Sequence, residues 1–96
     1  MAKVVRKGDA TTGHSCYAPT ILAEGSDWIK DTGIPVVHIG HAIVPHSCPS
    51  SPPHGGFQST GSSFVFIDGK AVARIGDSIS CGDFNAGGSS WIDIDS

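Results

Sequence analysis

One pattern recurs three times along the chain, and it restricts the fold more than any other feature. Lys3-Val4-Val5-Arg6-Lys7-Gly8-Asp9 aligns with Pro35-Val36-Val37-His38-Ile39-Gly40-His41 and with Ala71-Val72-Ala73-Arg74-Ile75-Gly76-Asp77. Each copy is apolar in its middle, passes a basic or imidazole side chain and meets a glycine. Ahead of the second and third copies stand Gly25-Ser26-Asp27-Trp28-Ile29 and Gly61-Ser62-Ser63-Phe64-Val65, and Gly88-Ser89-Ser90-Trp91-Ile92 matches both. The half-repeat that the first copy lacks is carried by the C-terminal segment, so the first and last strands are expected to pair. Repeats of this kind build a core by placing equivalent units against one another.

The units read as short strands. Phe64-Val65-Phe66-Ile67 and Ala71-Val72-Ala73-Arg74-Ile75 are rich in β-branched and aromatic residues, and the Asp68-Gly69 between them is a strong hairpin signal. Thr32-Gly33 occupies the equivalent turn. No helical apolar period is sustained, and 13 glycines with 6 prolines interrupt the chain too often for long helices. The expected fold is all-β, a small domain spanning 1–96 with pseudo-three-fold repeats. Three hairpins, one of them made from the two ends, should alternate with loops over roughly 9–24, 41–60 and 77–87.

A chain of 96 residues with 39% hydrophobic content has a small core, so a metal or disulfide staple is expected. Its 3 cysteines cannot all pair internally, and no signal-like or membrane-spanning segment is evident, which favours a reducing compartment and a metal. A net charge of −3 with only 6 Lys and Arg leaves no basic stripe for nucleic acid. Without an amphipathic helix or apolar span, any membrane contact would be mechanical.

The metal-capable residues cluster in the loops. Gly8 and Gly40 are each followed six residues later by His-Ser-Cys, giving His14-Ser15-Cys16 and His46-Ser47-Cys48. His41 and His54 join the second loop and Cys81 the third, whereas His38 lies in a strand. Zinc takes four nitrogen or sulfur ligands in a tetrahedron. Equivalent positions around a three-fold axis point at one spot, which selects His14 and His46, with Cys81 at nearly the same offset after Gly76. His54, in Pro53-His54-Gly55-Gly56, supplies the fourth ligand from the longest loop. The preferred set is His14, His46, His54 and Cys81, with Cys48 the first substitute. Cys16 and Cys48 can instead be small buried side chains, or a disulfide, since the repeat makes them equivalent.

The same residues carry a family resemblance. Pro35-Val36-Val37-His38 and Ala71-Val72-Ala73-Arg74, each followed by Ile-Gly and then His41 or Asp77, resemble the Pro-Ala-Ala-Arg motifs of PAAR-repeat proteins. His46-Ser47-Cys48-Pro49 with Pro53-His54-Gly55-Gly56 resembles that family's central loop, and Cys81-Gly82 its last. No copy spells the motif completely, and His38 and His41 stand where the family usually has Arg and Asp. The resemblance runs over nearly the full length. It implies a small conical β protein that sharpens the blunt end of a trimeric β-helical spike, one cap per trimer. Three histidines and one cysteine holding a structural zinc near the vertex are typical of the family, which maps onto His14, His46, His54 and Cys81. Such caps occur on contractile phage tails, here implying a virion tail tip assembled in the host cytoplasm. They also occur on type VI secretion spikes, delivered from the bacterial cytoplasm. Some relatives carry appended toxin domains, which are not expected here.

The expected role is structural and not enzymatic. A zinc hydrolase would need an open coordination position and a carboxylate base such as Asp9, Asp77 or Asp83, and the sequence offers little material for a pocket. A free-standing zinc module of another kind is disfavoured because the cysteines form no Cys-x-x-Cys pair. Trp28, Phe64 and Trp91 share one position in the repeat, three residues after Gly25, Gly61 and Gly88. They either stack as a core layer or face the partner as apolar anchors. Core packing is the expected role, because so small a domain has few other large side chains.

Overall fold

The structure, a computed structural model, describes residues 2–49 and 51–94, so the expected limits at 1 and 96 lie outside it. It is all-β, and among the described residues there is no helix. Among the described residues it has four two-stranded antiparallel ladders, joined by isolated bridges. The terminal strands β1 (Ala2–Lys3) and β8 (Asp93–Ile94) pair, as the divided repeat requires. β2 (Lys30–Asp31) pairs with β3 (Ile34–Pro35), and β6 (Phe66–Ile67) with β7 (Lys70–Ala71). Their turns use Thr32-Gly33 and Asp68-Gly69, all four residues at positive φ, the geometry that suits a two-residue hairpin. The ladders are shorter than the sequence suggests, because the chain soon leaves one hairpin to bond across to the next.

Those cross-bonds repeat three times. Val5 N–H donates to Ala73 O at 3.1 Å, Ala73 N–H to Val37 O at 2.9 Å, and Val37 N–H to Val5 O at 3.0 Å. The ring closes on itself, so three equivalent residues satisfy one another around a common axis. Val5, Val37 and Ala73 are fully buried there, packed against Leu22, Ile43 and Ile79. A second layer is formed by Val4, Val36 and Val72 with Ile67 and Ile94. The side chains on the axis are valines and an alanine because three backbones meet too closely for anything larger.

The serines of the three Gly-Ser segments are equally regular. Ser26, Ser62 and Ser89 are buried, and each Oγ accepts two backbone amides, those of residues two and three positions ahead. Each serine N–H donates to a second-layer valine, Val36, Val72 or Val4. The preceding glycines allow this approach: a Cβ on Gly61 would lie 2.7 Å from Val72 O, and one on Gly88 2.8 Å from Val4 O.

These turns carry the aromatic trio outward. Trp28, Phe64 and Trp91 are 79%, 81% and 75% exposed, so the expected core packing of the three is corrected. The short Gly-Ser turn spends its inward direction on the serine, and the aromatic two residues later falls on the outer face. The molecule measures 39 × 24 × 23 Å.

Candidate metal centre

Local structure in each loop presents one or two ligand-type side chains. In the first, His14 and Tyr17 exchange backbone hydrogen bonds, His14 N–H to Tyr17 O at 3.0 Å and Tyr17 N–H to His14 O at 2.8 Å. Ser15, at φ 53°, makes that tight turn. The second loop, strand-free by its sequence pattern, contains a further hairpin, β4 (His46–Cys48) with β5 (Ser51–His54). Pro52 and Pro53 lack amide donors, which confines such a segment to a sheet edge and hides it from a strand reading. Its register sets His46 opposite His54, with a bulge between His46 and Cys48. Directly opposed residues share a face. In the third loop Gly82, at φ 104°, donates its N–H to Ile79 O and turns the chain around Cys81.

The four preferred residues converge. One ligand atom from each of His14, His46, His54 and Cys81 lies within 4.8 Å of all the others. His54 Nε2 stands 3.0 Å from His14 Nε2 and 2.8 Å from His46 Nε2. His46 Nδ1–H donates to Ala18 O at 2.8 Å, which leaves the lone pair on the Nε2 that faces the cluster. One imidazole nitrogen cannot serve two ring nitrogens through its single in-plane position, whereas a cation between them engages every lone pair. Burial, and then the neighbouring His46 and His14, push the His54 pKa down from its ordinary value, with Asp83 opposing. The donor set of three imidazoles and one thiol suits zinc, and the group is arranged to hold a metal ion.

Two features around the cluster were not legible beforehand. Tyr17 stacks on His54 with ring centroids 3.9 Å apart, lies 5.1 Å from His14 and 5.0 Å from His46, and donates its hydroxyl to Pro52 O at 2.8 Å. It covers one side of the imidazoles and locks the first loop to the second. No spacing signal marks it. Gly56 is the other: a Cβ there would lie 3.2 Å from Cys81 Sγ and 3.0 Å from Ile79 Cγ2, so its bare backbone lets the second and third loops meet.

The remaining candidates are otherwise engaged. Cys16 and Cys48 form a disulfide, Cα atoms 5.4 Å apart, which realises the pairing left open by the sequence and removes Cys48 as a substitute ligand. Cys81 is the free thiol. One pair and one free thiol account for the odd cysteine count, which therefore no longer argues for a reducing compartment. His38 and His41 stack on each other with centroids 3.7 Å apart, away from the cluster. Asp9 and Asp77 accept from the guanidinium and backbone of Arg6 and Arg74. Asp83 accepts from Thr12 Oγ1 at 2.7 Å and from its neighbour Phe84 N–H, tying the third loop to the first. None of these carboxylates belongs to the converging group.

The family model for the PAAR motif matches residues 42–84. This match supports a PAAR-repeat protein. The matched span holds His46, His54 and Cys81, together with the complete third repeat. No curated protein matches the chain. The PAAR motif marks a family of structural spike tips in contractile injection systems.

Proposed function

We propose that this PAAR-repeat protein is a zinc-stapled cap for the blunt end of a trimeric β-helical spike, one cap per trimer, in a contractile machine of the phage-tail kind. The observation that carries the reading is the closed Val5–Ala73–Val37 ring of backbone bonds, with Trp28, Phe64 and Trp91 exposed at equivalent positions around it. A trimeric β-helix ends in unpaired backbone groups and open core side chains, which need cover. A single chain matches such an end only if its own face approximates three-fold symmetry. The aromatics are then anchors on the partner, of the kind that dominate interface energies.

His14, His46, His54 and Cys81 would hold the zinc, which would supply four bonds joining the tips of the three loops. The chain's own residues prepare the site: Ala18 O fixes the His46 tautomer, Tyr17 covers the rings, and the Cys16–Cys48 bridge holds the first loop against the second. A type VI secretion spike presents the same three-fold end. The identity of the trimer that the cap captures separates the two settings, and with them a virion tail tip from a secreted one. The decisive experiment mixes the cap with a candidate spike trimer and weighs the complex by native mass spectrometry. A 1:3 complex is expected, and any other ratio defeats the symmetry argument.

A further inference from the structure

The base of the molecule is hollow. A cavity of about 410 Å³ opens there, and its lining follows the repeat. Val4, Val36 and Val72 occupy equivalent positions in the three copies, and so do Ile29, Val65 and Ile92. Six lining residues thus come as two complete three-fold sets, which centres the cavity on the pseudo-three-fold axis. The wall is apolar with one carboxylate, Asp68, among its residues. Left open, this volume holds on the order of a dozen waters against aliphatic side chains, so filling it with apolar groups is favourable.

We propose that the cavity is a socket for a plug made of three symmetry-related apolar side chains, one from each chain of the trimer's end. This rests on the spike-cap reading. The symmetry of the lining selects the occupant: a group on the axis of a trimer is either repeated three times or lies on the axis itself. The largely apolar wall, with Asp68 its one carboxylate, favours apolar side chains over charged ones. The exposed Trp28 ring also borders the cavity, so the socket is continuous with the aromatic face proposed to meet the same partner. The cap and the spike therefore engage as a peg in a hole, with the peg on the spike, and the rim aromatics contact the surrounding surface.

The test uses the trimer recovered in the stoichiometry experiment and isothermal titration of the full-length cap. Val65→Trp fills the socket from the cap side, and Ile29→Asp makes its wall charged. Both positions are partly exposed, at 36% and 47%, so the fold tolerates the changes. Each variant is checked by metal content and amide protection at Val5 and Val37. Binding weaker by at least about tenfold is expected for both, as for a central apolar anchor. Shortening the trimer's terminal apolar side chains to alanine should weaken wild-type binding similarly, with little further loss when combined with Val65→Trp. If both cap variants fold and bind like wild type, the socket is overturned while the cap reading stands. If the wild-type cap binds no trimer at 1:3, the cap reading itself fails.

Discussion

At the base, three hairpins are joined by a ring of backbone hydrogen bonds around buried valines, whereas at the loop end the connecting segments meet through imidazoles, a thiol and a disulfide. The first arrangement needs nothing beyond the chain. The second would also use the proposed zinc and is bridged by a disulfide, although both ends are built from the same three repeats. Symmetry explains the difference. Equivalent backbones can satisfy one another wherever they approach the axis at one height, as Val5, Val37 and Ala73 do. The loops repeat such bonding at their roots, where Leu22–Ile43, Gln58–Ile79 and Thr11–Asn85 bridge neighbouring loops, but beyond those bridges their lengths differ, so side chains and, on the proposed reading, a cation close the tip.

Removing the metal is the largest perturbation that should act on one end alone. With free zinc a thousandfold above its dissociation constant, the bound ion stabilises by about 4 kcal/mol, which for a domain of this size corresponds to a midpoint shift of roughly 15–30 °C. A strong chelator should therefore lower the unfolding midpoint by an amount in that range. Amide exchange monitored alongside should show protection lost at His14 and Tyr17 but retained at Val5, Val37 and Ala73. Equal loss at both ends would mean that the base is not self-sufficient. An unchanged midpoint after complete zinc removal would dispose of the staple.

The Cys16–Cys48 bridge comes next. It links positions 32 residues apart, and closing a loop of that order stabilises by about 2–4 kcal/mol through the unfolded chain. The Cys16→Ser/Cys48→Ser double variant should lose roughly that much in denaturant unfolding while still binding one zinc, since neither sulfur belongs to the converging group. If the variant lost its zinc as well, the disulfide would be holding the ligands in place and the two staples would be one device.

What the sequence revealed, and what it hid, follows the same division between repeat and loop. The pairing of the terminal strands, the hairpin turns and the four converging side chains were readable, because equivalent positions in a repeat must occupy equivalent places. The aromatic trio was readable as a set but misjudged in direction. A small domain suggests that its largest side chains fill its centre, yet the axis here admits only valine and alanine. Ser26, Ser62 and Ser89 take the inward positions of those turns, and no periodicity distinguishes a buried serine that binds two amides from an exposed one. Tyr17, Gly56 and the proline-rich β5 belong to contacts between loops of different length. Their roles depend on which segments meet in space, so nothing in their spacing announces them.

The smallest predicted effect lies between the two ends, where one repeat departs from the others. In the third repeat Arg74 N–H and guanidinium both donate to the Asp77 carboxylate, and in the first Arg6 and Asp9 do the same. In the second, His41 Nδ1 takes the carboxylate's place and accepts His38 N–H at 3.1 Å, while ring stacking replaces the ion pair. His41 can accept that bond only while its Nδ1 is unprotonated. Burial, and then His38, hold its pKa below 6.5, with Lys70 adding to the depression and Glu24 and Asp27 opposing it. Unfolding in acid therefore takes up a proton, so this turn is fully stable above about pH 6.5 and weakens as pH falls through the folded pKa. Asp77 behaves differently: burial raises its pKa, but the Arg74 side chain and backbone and Thr60 outweigh that and hold it below 3.8. Its turn keeps its stability above that value and loses it only as pH falls through the lower folded one. Amide exchange at His38 and Arg74, followed from neutral pH down to about 4.5, should show His38 opening several-fold while Arg74 stays protected. In His38→Arg/His41→Asp the two amides should respond alike. Flat protection at wild-type His38 across that range would mean that the stacked rings hold the turn without the Nδ1 acceptor, and that the second repeat has replaced the ion pair at no cost in acid tolerance.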